Sequence, residues 1–166
     1  MKYLTVLLTF MSLFNCEKDS EFKIPESDEK ITTFTISEAH RDLIKWELKG
    51  ESAINRGDTI IIYNFLLKFY DMDGTISSIL KADSGYIVEE TNDLKALGNV
   101  VVESNDSTIL WTEELNWIEN EQKIKTESFL RYKKGDKIYT GVGMEADPDL
   151  KYIIIKNKFI GEGEFE

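Results

Sequence analysis

From about residue 31 onward, short apolar runs rich in isoleucine, valine, threonine and aromatics alternate with turn residues at intervals of roughly ten. Within the runs the period is two. In residues 60–70 the odd positions Ile61, Tyr63, Phe65, Leu67 and Phe69 are apolar or aromatic, and the even ones include Asn64 and Lys68. Successive strand side chains point to opposite faces, so the odd face is expected to line an interior. Before it, Ile44, Trp46 and Leu48 share a face opposed by Lys45, Glu47 and Lys49. Val100 and Val102 share another. Ile109 and Trp111 oppose Leu110 and Thr112, the pattern of a strand covered on both sides. The run from Tyr152 to Ile155 is bracketed by Lys151, Lys156 and Lys158, a charge guard typical of an exposed edge.

Turns are expected at Lys49-Gly50, Arg56-Gly57-Asp58, Asp73-Gly74, Ser84-Gly85, Asn105-Asp106, Lys134-Gly135-Asp136 and Asp147-Pro148-Asp149. Asp73-Gly74 suits a tight hairpin, because glycine accepts positive φ without penalty. The one helical candidate, Ser37 to Arg41, is too short to stand alone. Strand-turn-strand units recur loosely, as in Tyr86 to Glu103 and Thr108 to Thr126. The expected fold is all-β: stacked antiparallel hairpins in a roll or sandwich.

The N-terminus breaks this pattern. Lys2 precedes an apolar run from Tyr3 to Phe14, too short for a bilayer core that needs about 20 residues. It fits a secretory signal over residues 1–15. Leu13-Phe14-Asn15-Cys16 resembles a bacterial lipobox, with Phe14 and Asn15 in place of the usual small residues. Cys16, the single cysteine, is then the lipid attachment point, and several acyl chains there would anchor the protein stably. Residues 16–30 read as the lipidated cysteine and a charged, aperiodic tether, and residues 31–166 as one β domain.

Composition narrows the function. The net charge is −11, and one unit more negative without Lys2. So acidic a chain is a poor nucleic-acid binder. One histidine and one cysteine exclude the common zinc sites and any intramolecular disulfide. No metal or cofactor is expected. No glycine-rich phosphate loop, Gly-x-Ser-x-Gly elbow or histidine-based catalytic set can be assembled, and His40 reads as a surface or turn residue. Asp71-Met72-Asp73-Gly74 opens like a calcium loop, but its closing glutamate is Leu80. The 31 carboxylates mark no glycosidase pair by spacing. Trp46, Trp111 and Trp117 suit a core better than a sugar platform.

Three segments carry a family resemblance: Gly98-Asn99-Val100; Leu110-Trp111-Thr112-Glu113-Glu114-Leu115-Asn116-Trp117; and the stretch from Gly141-Val142-Gly143 through Asp147 to Leu150. In order and spacing they resemble the LptC family, periplasmic components of the lipopolysaccharide export transporter within the OstA-like β-jellyroll group. The resemblance covers about Ile31 to Glu166. It implies an antiparallel twisted β-jellyroll, an open roll with an apolar interior groove. It implies a non-catalytic bridge that receives lipopolysaccharide from an inner-membrane ABC transporter and passes it to the next periplasmic jellyroll protein. Many members carry a transmembrane helix; this chain is expected to sit in the periplasm as a lipoprotein, with the inner membrane favoured.

Groove residues expected on this reading are Trp46, Ile61, Tyr63, Phe65, Leu67, Phe69, Val100, Val102 and Leu115. The five odd positions alone span roughly 27 Å at about 3.4 Å per residue. Partner edges are expected at Thr32 to Ile36, with Phe34 and Ile36, and at Tyr152 to Phe159, with Ile153 and Ile155. Gly141 and Gly143 would permit close backbone approach. The rival reading is a lipoprotein β-sandwich that binds another ligand or serves adhesion, with these residues filling a dry core.

Overall fold

The computed structural model describes residues 30–40 and 43–162, and all nine of its strands belong to one antiparallel sheet. They are β1 (Lys30–His40), β2 (Leu43–Asn55), β3 (Thr59–Tyr70), β4 (Ile76–Val88), β5 (Leu94–Ser104), β6 (Ile109–Ile118), β7 (Lys123–Lys134), β8 (Lys137–Ala146) and β9 (Ile153–Glu162). Each strand pairs only with its neighbours in sequence, so β1 and β9 are the free edges of an open sheet. This is the expected all-β, twisted jellyroll architecture, without helices among the described residues.

One line of backbone irregularities, with positive φ on β1, β3, β5 and β8, runs across the sheet and explains how a single sheet encloses a core. In β3 Ile60 and Ile62 are buried, and then Phe65, Leu67 and Phe69. The buried parity changes at Asn64, which has φ 43°. Register with β2 and β4 continues unchanged through Asn64, so the change is a turn of the backbone and not an inserted residue. Asparagine tolerates this left-handed conformation better than other non-glycine residues. Across the sheet the same row holds Thr33 (φ 53°), Glu51, Asn64, Asp83, Gly98-Asn99 (φ 78° and 44°), Glu113, Glu127 and Gly143 (φ 75°). Register shifts fall on it in the four pairs from β4·β5 to β7·β8, and the β8·β9 shift lies next to it, between Thr140 and Val142.

Polar side chains bind the row together. Asn64 donates to Glu51 at 2.5 Å, Asn99 donates to Asp83 at 2.7 Å, and Lys156 pairs with Glu127. On one flank of this crease the core comes from Leu48, Phe65, Leu67, Leu80, Val102, Leu110 and Leu130. On the other it comes from Ala53, Ile62, Leu94, Leu115, Ile124 and Met144. Burying that apolar surface at about 25 cal/mol per Å² supplies the main stabilisation of the roll.

Four expectations are corrected here. Ser37 to His40 is strand, not helix. Lys49-Gly50 and Ser84-Gly85 lie inside β2 and β4, not in turns. The glycines are there because the neighbouring strands leave no room for a side chain. A Cβ on Gly50 would lie 2.5 Å from the Phe34 ring, and one on Gly85 2.5 Å from the Lys95 backbone carbonyl and 2.9 Å from the Phe65 ring. Ile61 and Tyr63 do not share the interior face with Phe65, because Asn64 reverses the faces between them; Tyr63 is exposed. The other five expected turns fall between strands.

Candidate functional site

The interior between the two flanks holds the hydrophobic core of the described residues. Six of the expected groove residues converge there: Phe65, Leu67, Phe69, Val100, Val102 and Leu115 are all buried. Trp46 is half-buried at the rim. Ile61 is half-buried and Tyr63 exposed, both on the outer face. Sequence reasoning missed Ile62, Leu80, Leu94, Leu110, Ile124, Leu130 and Met144, which complete the walls with Leu48, expected on the face of Trp46, and Trp117, expected in the core. The signal for half of them was Asn64 and Gly98-Asn99, residue types suited to the backbone turn that exchanges the faces.

The flanks meet side chain to side chain. Phe69 and Trp117 approach to 4.9 Å between ring centroids at 56°, a favourable tilted geometry. Where they part, a slot of about 20 Å³ remains, lined by Trp46, Leu48, Leu67, Ile87, Asn92, Leu94 and Trp117. Its walls come from β2 and β3 on one side and from β4 to β6 on the other. The interior is thus closely packed here, with space for little more than one small group.

Beside Phe69, across β4 and β5, the interior turns polar. Ser78 and Ser104 face each other across β4 and β5, both buried, and the Ser78 hydroxyl has no hydrogen-bond partner among the described residues. Ser104 donates to Asp106, whose carboxylate also accepts from the Thr108 backbone N–H at 3.0 Å. The Ser104 and Thr108 bonds hold the Asp106 carboxyl down at about 2, assisted by the charge of Lys134. Tyr132, close by, has its phenol pushed up by burial and then by the Asp106 charge.

The edge residues divide. Phe34 and Ile36 lie on β1 with their side chains turned inward, Phe34 fully buried and Ile36 half-buried. Ile153 and Ile155 are half-buried on β9. Gly141 and Gly143 lie on β8, one strand in from the edge. A Cβ on Gly141 would collide with Ile155, so its lack of a side chain seats β9. Cys16 and the rest of the leader and tether lie outside the described residues, except Lys30, which begins β1. Among the described residues there is no cluster of three potential metal ligands and no helix long and apolar enough to cross a membrane.

Compared with known families, residues 4–161 match the family described as "Lipopolysaccharide-assembly, LptC-related". The match runs from the N-terminal apolar segment into β9 and includes the crease. No curated protein matches the chain.

Proposed function

This chain belongs to the LptC family of lipopolysaccharide-assembly proteins, and from that premise we propose that it is a non-catalytic bridge for lipopolysaccharide on the periplasmic side of the inner membrane. The family works in lipopolysaccharide transport, and the finer assignment rests on the interior. One observation carries it: the two flanks of the creased sheet turn continuous apolar faces toward each other, and the sheet that encloses them is open at β1 and β9.

The energetics ask for such an interior. A twelve-carbon acyl chain loses roughly 9 kcal/mol on leaving a bilayer for water, at about 0.8 kcal/mol per buried CH₂. A carrier must return most of that through apolar contact. Phe65, Leu67, Phe69, Val100, Val102 and Leu115 offer it, with Leu48, Leu80 and Leu110 around them. A net charge of −11 does not grip phosphates, so the sugar head stays in water while the acyl chains are held inside. In the closed form the flanks touch, so lipid binding requires them to separate.

In this reading Cys16 carries the lipid anchor. The β1 edge receives the inner-membrane ABC transporter, and β9 pairs with the next periplasmic jellyroll through main-chain hydrogen bonds. The energy comes from the transporter's ATPase; the bridge hydrolyses nothing.

The test is photo-crosslinking in cells that make lipopolysaccharide. A photoreactive residue at Phe65 is expected to give a lipopolysaccharide adduct, and one at Tyr63, two residues away on the outer face, none. Adducts at neither site, in a folded protein beside an active transporter, would reject the interior as the lipid site. That result would favour a β-sandwich binding another ligand, the reading supported by the close packing at the slot.

A further inference from the structure

The rim of the interior carries charged groups that acyl-chain binding alone does not require. On β2, Trp46 donates its indole N–H to Glu38 of β1 at 3.0 Å. On β6, Trp117 donates its own to Glu119, just beyond the strand, at 2.8 Å. Each indole is therefore tied by its polar edge to a carboxylate, and both line the apolar slot between the flanks. Lys45 pairs with Glu38 at 2.9 Å. The charges of Glu38 and Lys45 both bear on Glu119, with opposite effect.

Nothing in the backbone ladder closes this rim. β2 and β6 are not neighbours in the sheet, and no hydrogen-bonded pair joins β1 or β2 to β5, β6 or β7. Parting the rim breaks ring contacts and rearranges charges but leaves the strand pairing intact. Lys45 is paired with Glu38 and reaches Glu119 only through its charge. Glu119 is half-buried, and burial, its largest influence, holds its carboxyl above the usual range. The Glu38 charge adds to this, against the Trp117 bond, Lys45 and Gln122. An ionised Glu119 therefore burdens the closed rim, and Lys45 offsets part of that burden.

We propose that Trp46 and Trp117 form the mouth through which a saturated acyl chain passes into the interior, and that Glu38, Lys45 and Glu119 are the latch that sets how readily it opens. The inference rests on the interior being the lipid site. It assigns opposite signs to two substitutions. Removing the ammonium leaves the charges of Glu38 and Glu119 without the cation that offsets their repulsion, and opens the mouth. Neutralising Glu119 removes a desolvated charge and the repulsion from Glu38, and tightens it. Glutamine retains an acceptor for Trp117, so the second variant preserves the indole bond.

The experiment uses the full chain carrying Trp111→Phe, which leaves only the mouth indoles of the three tryptophans as reporters. Stearic acid brominated in mid-chain, a contact quencher of tryptophan, is mixed in by stopped flow. Lys45→Met is expected to speed quenching about two- to fivefold and Glu119→Gln to slow it by a similar factor. Near-ultraviolet circular dichroism confirms that each variant keeps its packing. Parental rates in both variants, or changes of the same sign, overturn the latch. If the parent is not quenched while Phe65 still forms its lipopolysaccharide adduct, the mouth is misplaced and the interior site stands. Loss of both signals removes the interior reading itself, and the latch with it.

Discussion

At the β1 edge, Phe34 lies over Gly50 of β2 and is 7% exposed. At the β9 edge, Ile155 lies over Gly141 of β8, yet Ile154, Phe159 and Ile160 remain 68%, 59% and 60% exposed. Both edge strands are seated on a glycine of the adjoining strand, the arrangement in which a larger cross-strand side chain covers the gap. What differs is the direction of the remaining apolar side chains. β1 turns Phe34 and Ile36 inward and spends Glu38 on the rim, so it ends as part of the core. β9 turns much of its apolar surface to water, guarded by Lys156 and Lys158 and supported by the rings of Tyr132, Tyr139 and Phe159, where Tyr139 and Phe159 stack at 5.6 Å. Paired on one side alike, β1 offers a partner its backbone edge alone, whereas β9 also leaves apolar side chains in water.

The contrast can be broken most forcefully at β1. Gly50→Ala places a methyl group 2.5 Å from the Phe34 ring and expels it. The expected loss is about 1–3 kcal/mol, measured by urea unfolding. A stability equal to the parent's would mean that Phe34 does not seal this edge. A smaller stability effect, within about 0.5 kcal/mol, is expected for Ile154→Lys on exposed β9. Its consequence lies elsewhere: sedimentation velocity should show weaker concentration-dependent association than for the parent. Association that is unchanged would deny β9 its adhesive role.

The smallest effect concerns the support behind β9. Asp106, with a carboxyl at about 2 against an ordinary 3.8, fastens the turn before β6 beside Tyr132. A depressed carboxylate contributes stability that is present above its unfolded value. That contribution is lost as pH falls through the folded one, so the window runs from 3.8 down to about 2. Asp106 is partly exposed, and solvent screening keeps the contribution under about 1 kcal/mol. Asp106→Asn should flatten the stability profile in that window. A slope matching the parent's would assign it to other carboxylates.

Strand existence was legible from alternation, and so were the turns where glycine or aspartate stands between apolar runs. Faces were legible only up to the crease. A period-two reading carries one parity through Ile60–Tyr70, whereas the backbone at Asn64 exchanges it, so Ile61 and Tyr63 fell on the wrong side. Gly50 and Gly85 misled for a related reason. As local signals they mark turns, but here Gly50 makes room for the Phe34 ring and Gly85 for the Lys95 carbonyl and the Phe65 ring, and pairing partners are not written in a local window. The resemblance motif Gly98-Asn99 proved to have a structural meaning, since it holds the crease on β5. Glu38 and Glu119 were invisible among the carboxylates because their significance depends on two strands that meet only through the interior.

The strand order has a consequence for how the molecule is made. Since every strand pairs with its immediate predecessor through a short connection, no segment waits for a distant one to arrive. The roll can be assembled vectorially, each hairpin closing as it leaves a ribosome or a narrow channel, with the loop-closure cost of each step kept low. β9, last to emerge, adds to a sheet that already holds its other eight strands, so a chain interrupted before β9 retains nearly all of its pairing.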